Sequence, residues 1–392
     1  MLRVGIVAGE SSGDLLGAAL IEALRARGPV ECFGVAGPRM VAAGCAAWAQ
    51  AEELAVMGLT EVLRHLPRLL TLRRRLAARL ARARPDVFIG IDAPEFNLGL
   101  ARRLKARGIP TVQYVSPQVW AWRQGRVRTI GAACDLVLCL LPFETRFYAR
   151  HGVRSAFVGH PLADEIPLEV DRAAARTRLG LAQSDSVIAL LPGSRLGEVE
   201  RLAADFLRAA AWIAAREPRT RFIAPMASPT VRAAFERQRS GVPEAPPVQL
   251  TDGLSQVALA AADGVLVASG TATLETLLTG RPLVVAYRFG ALTALILRAL
   301  RLVKVPYFSQ PNLLIGRALV PEFLQEQVQG AAMGAALLEE MRPGAHRTEL
   351  EAAFRRVHQE LRCGGAGRAA EAVLELLGMR PPAAALASGQ GT

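Results

Sequence analysis

Val87 to Asn97 reads VFIGIDAPEFN, and the fold follows from how this stretch is built. Val87, Phe88, Ile89 and Ile91 form a short apolar run rich in β-branched and aromatic side chains. That composition predicts a strand buried on both faces, as in a parallel sheet. Asp92 stands where the apolar signal ends, and Ala93-Pro94 follows. Pro94 stops the ladder and biases Ala93 towards an extended conformation. The stretch thus holds an acid at the carboxyl end of a central parallel strand, where open α/β sheets bind ligands. A second reading makes Asp92 only the cap of a helix starting near Glu95.

The chain has 392 residues, a two-domain length with ample core. Its formal charge of +12, from 47 basic and 35 acidic residues, favours an anionic partner: nucleic acid, phosphorylated substrate or membrane surface. Aromatic residues at 5 % argue against base-stacking platforms for single strands. Cys32, Cys45, Cys134, Cys139 and Cys363 are scattered and form no C-x-x-C pair, so neither a zinc site nor a disulfide framework is expected. Reduced, packed thiols in a cytoplasmic protein fit better. The start, Met1-Leu2-Arg3, has no signal-peptide architecture, and the longest apolar run, Ala291 to Leu297, is too short to span a bilayer.

Around the central stretch, strands and helices alternate. Val4 to Ala8 is a strand that turns through Gly9-Glu10-Ser11-Ser12-Gly13-Asp14 into a helix, leaving amides for an anion or a sugar hydroxyl. Cys32 to Ala36, Thr111 to Val115, Asp135 to Leu140 and Ala156 to Val158 read as further strands. Trp120 and Trp122 beside Arg123 and Arg126 make an apolar, cationic lip or simple core packing. His160 reads equally as a ligand contact or a capping residue. Asp164 to Gln183 is polar and charged, and the hinge is expected there.

A second series then begins. Ser186 to Leu191 ends in Pro192-Gly193-Ser194-Arg195, where Arg195 suits a phosphate clamp or a surface ion pair with Glu198. Val265 to Ala268 ends in Ser269-Gly270-Thr271-Ala272-Thr273-Leu274-Glu275. Such a turn can receive a pyrophosphate on backbone amides, with Glu275 in reach of ribose hydroxyls. Leu283 to Ala286 ends at Tyr287-Arg288, and Asn312 is the polar centre of a later loop. Helices are expected over Gln327 to Met341 and Arg347 to Leu377, then a disordered Ala/Gly/Ser-rich tail from Pro381.

Two basic amphipathic elements stand apart. From Pro67, Leu69, Leu72, Leu76 and Leu80 recur at helical spacing, and Arg64 to Arg84 carries eight arginines and no acid. Phe289 to Lys304 repeats the pattern with Arg298, Arg301 and Lys304. Each reads as a solvated basic face or as a helix on anionic lipid.

Two alternating αβ halves imply two Rossmann-like domains facing across a cleft. No Walker A loop, nucleophile elbow, HExxH helix or clustered D-x-D is present. Metal-independent group transfer fits: phosphates on helix dipoles and arginine, and one carboxylate as base.

The strings VAGESSGD, FGVAGPRM, ELAVMG, IDAPEFN, YVSPQVWAWR, LPGSR, ASGTATLE and PNLL, in this order, resemble the lipid-A-disaccharide synthases from about Leu2 to Leu377. The resemblance implies an inverting glycosyltransferase of the GT-B type. It would join UDP-2,3-diacylglucosamine to 2,3-diacylglucosamine 1-phosphate, giving the β-1,6 disaccharide of lipid A and UDP. It implies work at the cytoplasmic face of the Gram-negative inner membrane, no cofactor or metal, no nucleic acid, and leaves a homodimer open. Residues 1–165 would form the acceptor and membrane-facing domain, 166–346 the UDP-sugar domain, 347–378 a helix packing across domains or subunits, and 379–392 a disordered tail. Asp92 would be the general base. Ser194, Arg195, Ser269, Gly270, Thr271, Ala272, Glu275, Tyr287, Arg288 and Asn312 would hold UDP. Glu10, Ser11 and Ser12 would line the acceptor side, and Arg68, Leu69, Leu72, Arg73, Arg74 and Arg75 would face the membrane. Glu95 departs from the family's second aspartate, which leaves its direct role in doubt. One rival is another GT-B enzyme on a UDP-sugar, such as a UDP-N-acetylglucosamine 2-epimerase, which would lack the apolar–basic helices; a second is a non-catalytic basic protein that binds nucleic acid or membrane through its arginines, which would not require the strand-end Asp92.

Overall fold

The run Val87–Ile91 is buried at all five positions, the pattern of a strand covered by helices on both sides. A computed structural model of the chain describes residues 1–54, 59–122, 124–290 and 307–379. The chain divides into two units, Met1–Asp164 with the segment from Leu361 onward, and Glu165–Glu360.

In the first unit, β1 (Leu2–Ala8), β2 (Val30–Ala36), β3 (Cys45–Gln50), β4 (Val87–Ile91), β5 (Thr111–Tyr114), β6 (Leu136–Cys139) and β7 (Ser155–Phe157) form one parallel sheet. Their order is β3-β2-β1-β4-β5-β6-β7. The helix Ser11–Arg25 packs Leu20, Ile21 and Leu24 on one face, and the helix Pro94–Lys105 packs Leu98, Leu100 and Leu104 on the other. In the second unit, β8 (Ser186–Leu191), β9 (Thr220–Met226), β10 (Val248–Asp252), β11 (Gly264–Ala268), β12 (Leu283–Tyr287) and β13 (Glu322–Leu324) run parallel in the order β10-β9-β8-β11-β12-β13. Among the described residues no helix is long and apolar enough to cross a membrane. Cys32, Cys45, Cys134 and Cys139 are buried free thiols. Burial pushes Cys32 up to about 11.

Several expectations change. β3, β10 and β13 were not anticipated; all three include sheet-edge positions and have weak strand composition. The expected helix over Arg347 to Leu377 is two, Ala345–Leu361 and Gly365–Leu376. Gly364, in the left-handed region at φ 68, makes the break, and the Asp164 carboxylate accepts the Gly364 and Gly365 amides at 3.0 and 2.8 Å. The second helix belongs to the first unit, where Ala369, Ala370 and Val373 join its core.

The helix expected from Pro67 begins earlier, spanning Leu59–Ala83 with Pro67 inside. Its leucine stripe is largely core: Leu76 and Leu80 are 4 % and 0 % exposed, and Leu72 packs against the same cluster. A core-facing helix and a lipid-facing one share this periodicity. Arg73 also points inward, with its guanidinium donating to the Glu95 carbonyl at 3.3 Å. Leu72 and Arg73 are thus turned in part towards the protein, whereas Arg68, Arg74 and Arg75 are exposed and Leu69 is half-buried. The second basic stretch lies outside the described residues from position 291, as does the tail from 380.

The stretch expected to be a charged hinge holds the helix Arg172–Leu179, and Arg176 on it is completely buried. Its guanidinium donates to the carbonyls of Ala261, Ala182, Gln183 and Asp185 at 3.0, 3.2, 2.7 and 2.8 Å, and to Asp263 at 2.7 Å. Asp263 also accepts the Val187 amide at 2.9 Å, tying the starts of β8 and β11 together. Removing one partner of a buried pair leaves the other charge uncompensated. Asp263→Ala should destabilise the second unit by about 3–5 kcal/mol in urea unfolding. A loss under about 1 kcal/mol would mean that the carbonyls alone satisfy Arg176.

Candidate active site

Both sheets reverse their strand order once, between β1 and β4 and between β8 and β11. At such a point the following helices diverge to opposite faces and leave a crevice beyond the strand ends. The sequence-singled turns lie at these two points: Gly9 to Ser12 after β1, Asp92 after β4, Ser194-Arg195 after β8 and Ser269 to Glu275 after β11.

In the first unit Ala8 pairs with Ile91, which sets Gly9 beside the Asp92 turn. A Cβ on Gly9 would lie 2.6 Å from the Cβ of Ala93, so only glycine allows this approach. The helix begins at Pro94 and its cap position is Ala93, with no side-chain capping bond. Asp92 is therefore not the helix cap. It and Ala93 both adopt left-handed backbone, φ 52 and 40. For residues other than glycine this costs on the order of 1–3 kcal/mol each and persists only where the surroundings enforce it.

The enforcing groups are two buried amides that sequence reading missed. Asn97 donates through Nδ2 to the carbonyls of Ile91 and Asp92 at 3.2 and 2.9 Å. Gln113, on β5, donates to Asp92 O at 3.1 Å and to Val115 O at 3.3 Å. A glutamine amid apolar neighbours in a buried strand was the available signal. Burial pushes the Asp92 carboxyl above the usual carboxylate range, while the Ala93 amide opposes the shift. The result is a half-buried, raised carboxyl suited to a general base.

Glu10, Ser11 and Ser12 are exposed at the start of the Ser11–Arg25 helix, facing solvent at the same sheet end. Asp14, one turn on, is buried instead. It accepts the amides of Gly37, Arg39 and Met40 at 3.0, 2.9 and 3.0 Å and so orders the next turn. Glu95 forms an ion pair with Arg126 at 2.7 Å. His160 is a neutral acceptor: its Nδ1 takes the Leu162 amide at 3.2 Å, and burial pushes it down to about 4 against the pull of Asp164. The side chain of Trp122 and all of residue 123 lie outside the described residues.

In the second unit Arg195 is 72 % exposed, and its contact to Glu198 is long at 3.5 Å. The surface ion-pair reading is thus a weak one. Glu198, 13 % exposed, accepts the amides of Ser194 and Arg195 at 3.1 and 3.3 Å, leaving the guanidinium as this turn's available group. Next to it, Gly270 and Thr271 are exposed at the start of the helix Thr271–Leu278. The first amides of a helix lack intrahelical partners and carry the positive end of its dipole. Glu275 is half-buried, raised by burial and bonded to the Ser255 hydroxyl at 3.4 Å. Tyr287 is partly exposed and meets Phe289 edge-on at 4.8 Å.

Two expected ligand residues have protein partners instead. Arg288 pairs with Asp205 and donates to the carbonyls of Gln325 and Val328 at 3.2 and 2.7 Å, because buried Asp205 needs a cation. Asn312 is 1 % exposed and fully bonded: Nδ2 donates to Val320 O at 2.9 Å and Glu322 at 2.8 Å, and Oδ1 accepts the Leu319 and Val320 amides at 2.8 and 3.0 Å. Glu322 also accepts the Phe308 and Ser309 amides, both at 3.0 Å, and Ser269 donates to Phe308 O at 3.1 Å. These residues brace the Ser269 turn from behind.

Among solved structures, the fold is similar to the UDP-GlcNAc 2-epimerase of Neisseria meningitidis bound to UDP-GlcNAc, at TM-score 0.62 and 13 % identity, covering 96 % of this chain and 99 % of that one. It is also similar to Acinetobacter baumannii MurG, at TM-score 0.57 and 12 % identity, covering 96 % and 100 %. The architecture is GT-B. In sequence, the chain is 54 % identical over 380 residues to a lipid-A-disaccharide synthase of Pseudomonas aeruginosa, covering 97 % of this chain and 99 % of the relative. Identity to the Azotobacter vinelandii enzyme of that name is 53 % over 378 residues, covering 96 % and 98 %. Residues 4–373 match the lipid-A-disaccharide synthetase family, and this chain belongs to it.

Proposed function

We propose that this protein is an inverting glycosyltransferase that makes the lipid A disaccharide. The donor is UDP-2,3-diacylglucosamine and the acceptor 2,3-diacylglucosamine 1-phosphate; the products are the β-1,6-linked disaccharide 1-phosphate and UDP. One observation carries the reading. Asp92 is a partly buried carboxylate in an enforced left-handed turn at a sheet switch point, and it is not the cap of the helix behind it.

The acceptor's 6-hydroxyl attacks the donor's anomeric carbon as the bond to UDP breaks. Ionised Asp92 takes the hydroxyl proton, which a neutral amide of the same shape cannot do. Negative charge grows on the departing diphosphate. Arg195 and the N-terminal amides of the Thr271–Leu278 helix supply positive potential for it, with Ser194 and Ser269 at the turn edges. Glu275 and Tyr287 flank the nucleotide, and Glu10, Ser11 and Ser12 meet the acceptor. With the phosphates served this way no metal is required, so excess chelator should leave turnover unchanged. The relatives named synthase reach 54 % identity, whereas the epimerase likeness at 13 % concerns fold alone, which favours the transferase over the epimerase alternative.

Asp92→Asn should lower turnover by about 10²–10⁴ while UDP affinity and melting temperature hold. Near-normal turnover would move the base elsewhere, with Glu10 next. The base works ionised and its pKa is raised, so the rate should fall with acid above the ordinary carboxylate range, about pH 4. A limb at or below that value would contradict a raised Asp92.

Arg195→Ala should weaken UDP binding by about 1.5–3 kcal/mol, read by calorimetry. Unchanged affinity in a folded variant removes Arg195 from the donor site.

We further propose peripheral attachment at the cytoplasmic face of the inner membrane through the exposed arginines. Each charge near an anionic surface is worth about 1 kcal/mol. Arg74→Ser with Arg75→Ser should reduce sedimentation with anionic vesicles and spare turnover of a short-chain soluble acceptor. Unaltered sedimentation would mean these arginines are only solvated.

A further inference from the structure

Glu144 is a buried carboxylate that the reaction above does not use. It lies in the first turn of the helix Pro142–Ala149 and is 3 % exposed. Its Oε2 accepts the Leu141 amide at 3.1 Å, an ordinary capping contact. Its Oε1 does something capping does not need: it accepts the indole Nε1–H of Trp120 at 3.1 Å. Nearby, the Ser116 hydroxyl donates to or accepts from the Tyr148 hydroxyl at 3.0 Å. Burial lifts Glu144 to about 7, against the pull of its hydrogen-bond donors.

Trp120 and Ser116 belong to the segment that leaves β5, the strand beside the one ending in Asp92. That segment starts at Val115, a β-branched residue held at φ 72. Gln113 donates to both Asp92 O and Val115 O, so the two turns share one anchor. At its far end Arg126 pairs with Glu95, on the helix that follows Asp92. Trp120 packs edge-on against Phe143 at 4.8 Å and stays partly exposed. An aromatic, partly exposed wall suits the apolar face of a pyranose or an acyl chain.

We propose that Glu144 is a positioning residue for the acceptor: by holding the Trp120 indole it fixes segment 116–120 as the acceptor-side wall next to Asp92. The proposal rests on the reading of Asp92 as the base. A carboxamide cannot substitute, because it has one acceptor oxygen for two donors.

The test is steady-state kinetics of Glu144→Gln, Trp120→Phe and the double variant, with melting temperatures and Asp92→Asn alongside. Trp120→Phe keeps a six-membered aromatic ring and removes the pyrrole part of the indole with its N–H. Each single change should raise the acceptor KM about tenfold, the scale of one hydrogen bond to a charged group, with kcat and donor KM within about threefold. The double variant should be no worse than the worse single, since both break one contact. Unmoved acceptor KM in folded Trp120→Phe, or fully additive losses in the double, overturns the proposal. A lowered melting temperature with all KM values unmoved leaves Glu144 a cap and also overturns it. If Glu144→Gln fails to fold, Trp120→Phe decides. Normal turnover in Asp92→Asn removes the base reading itself, whereas lost turnover there with unmoved acceptor KM in Trp120→Phe removes the positioning role alone.

Discussion

Two buried amides, Asn97 and Gln113, hold the chain after β4 in a conformation it would not choose alone. They approach Asp92 O from different elements, one from the following helix and one from the neighbouring strand. The left-handed pair Asp92–Ala93 is thereby fixed by tertiary structure, and the carboxylate rests on a short, stiff mount. A carboxylate on such a mount loses little freedom when a partner meets it. The close approach of Gly9 to Ala93 and the paired register of β1 and β4 belong to the same constraint.

The second unit solves a different problem in a different way. The groups it turns to solvent are a long guanidinium, Arg195, and the start of the Thr271–Leu278 helix, where the dipole is positive. The polar residues behind them, buried Asn312 and the partly exposed Glu198 and Glu322, are bonded to backbone and define where the turns sit. A side chain committed to the scaffold and one available to ligand therefore stand a few residues apart in sequence.

That proximity explains what the sequence revealed and what it concealed. The run Val87–Ile91 was legible because burial on both faces demands apolar residues at every position, and Asp92 because it ends that run. The Ser269 turn was legible from glycine and hydroxyls at a strand end. Arg288 and Asn312 occupy similar positions, but whether each points to solvent depends on distant partners; Asp205 is 83 residues from Arg288. Arg176 was hidden for the same reason, since a buried arginine and a solvated one look alike until Asp263 is placed beside it. The leucines of the Leu59–Ala83 helix carry a period that core and lipid both impose, and only packing separated Leu76 and Leu80 from the exposed arginines.

The helix Gly365–Leu376 returns to the first unit after the whole of Glu165–Glu360 has been laid down. In topological terms the second unit is an insertion within the first. During synthesis β1 through β7 emerge early, yet the face that Ala369, Ala370, Val373 and Leu374 cover stays open until the final helix leaves the ribosome. The inserted unit has no such wait. The half of the protein translated first is therefore the half completed last, and it carries an uncovered apolar face through roughly two hundred residues of elongation, on the order of tens of seconds at bacterial rates.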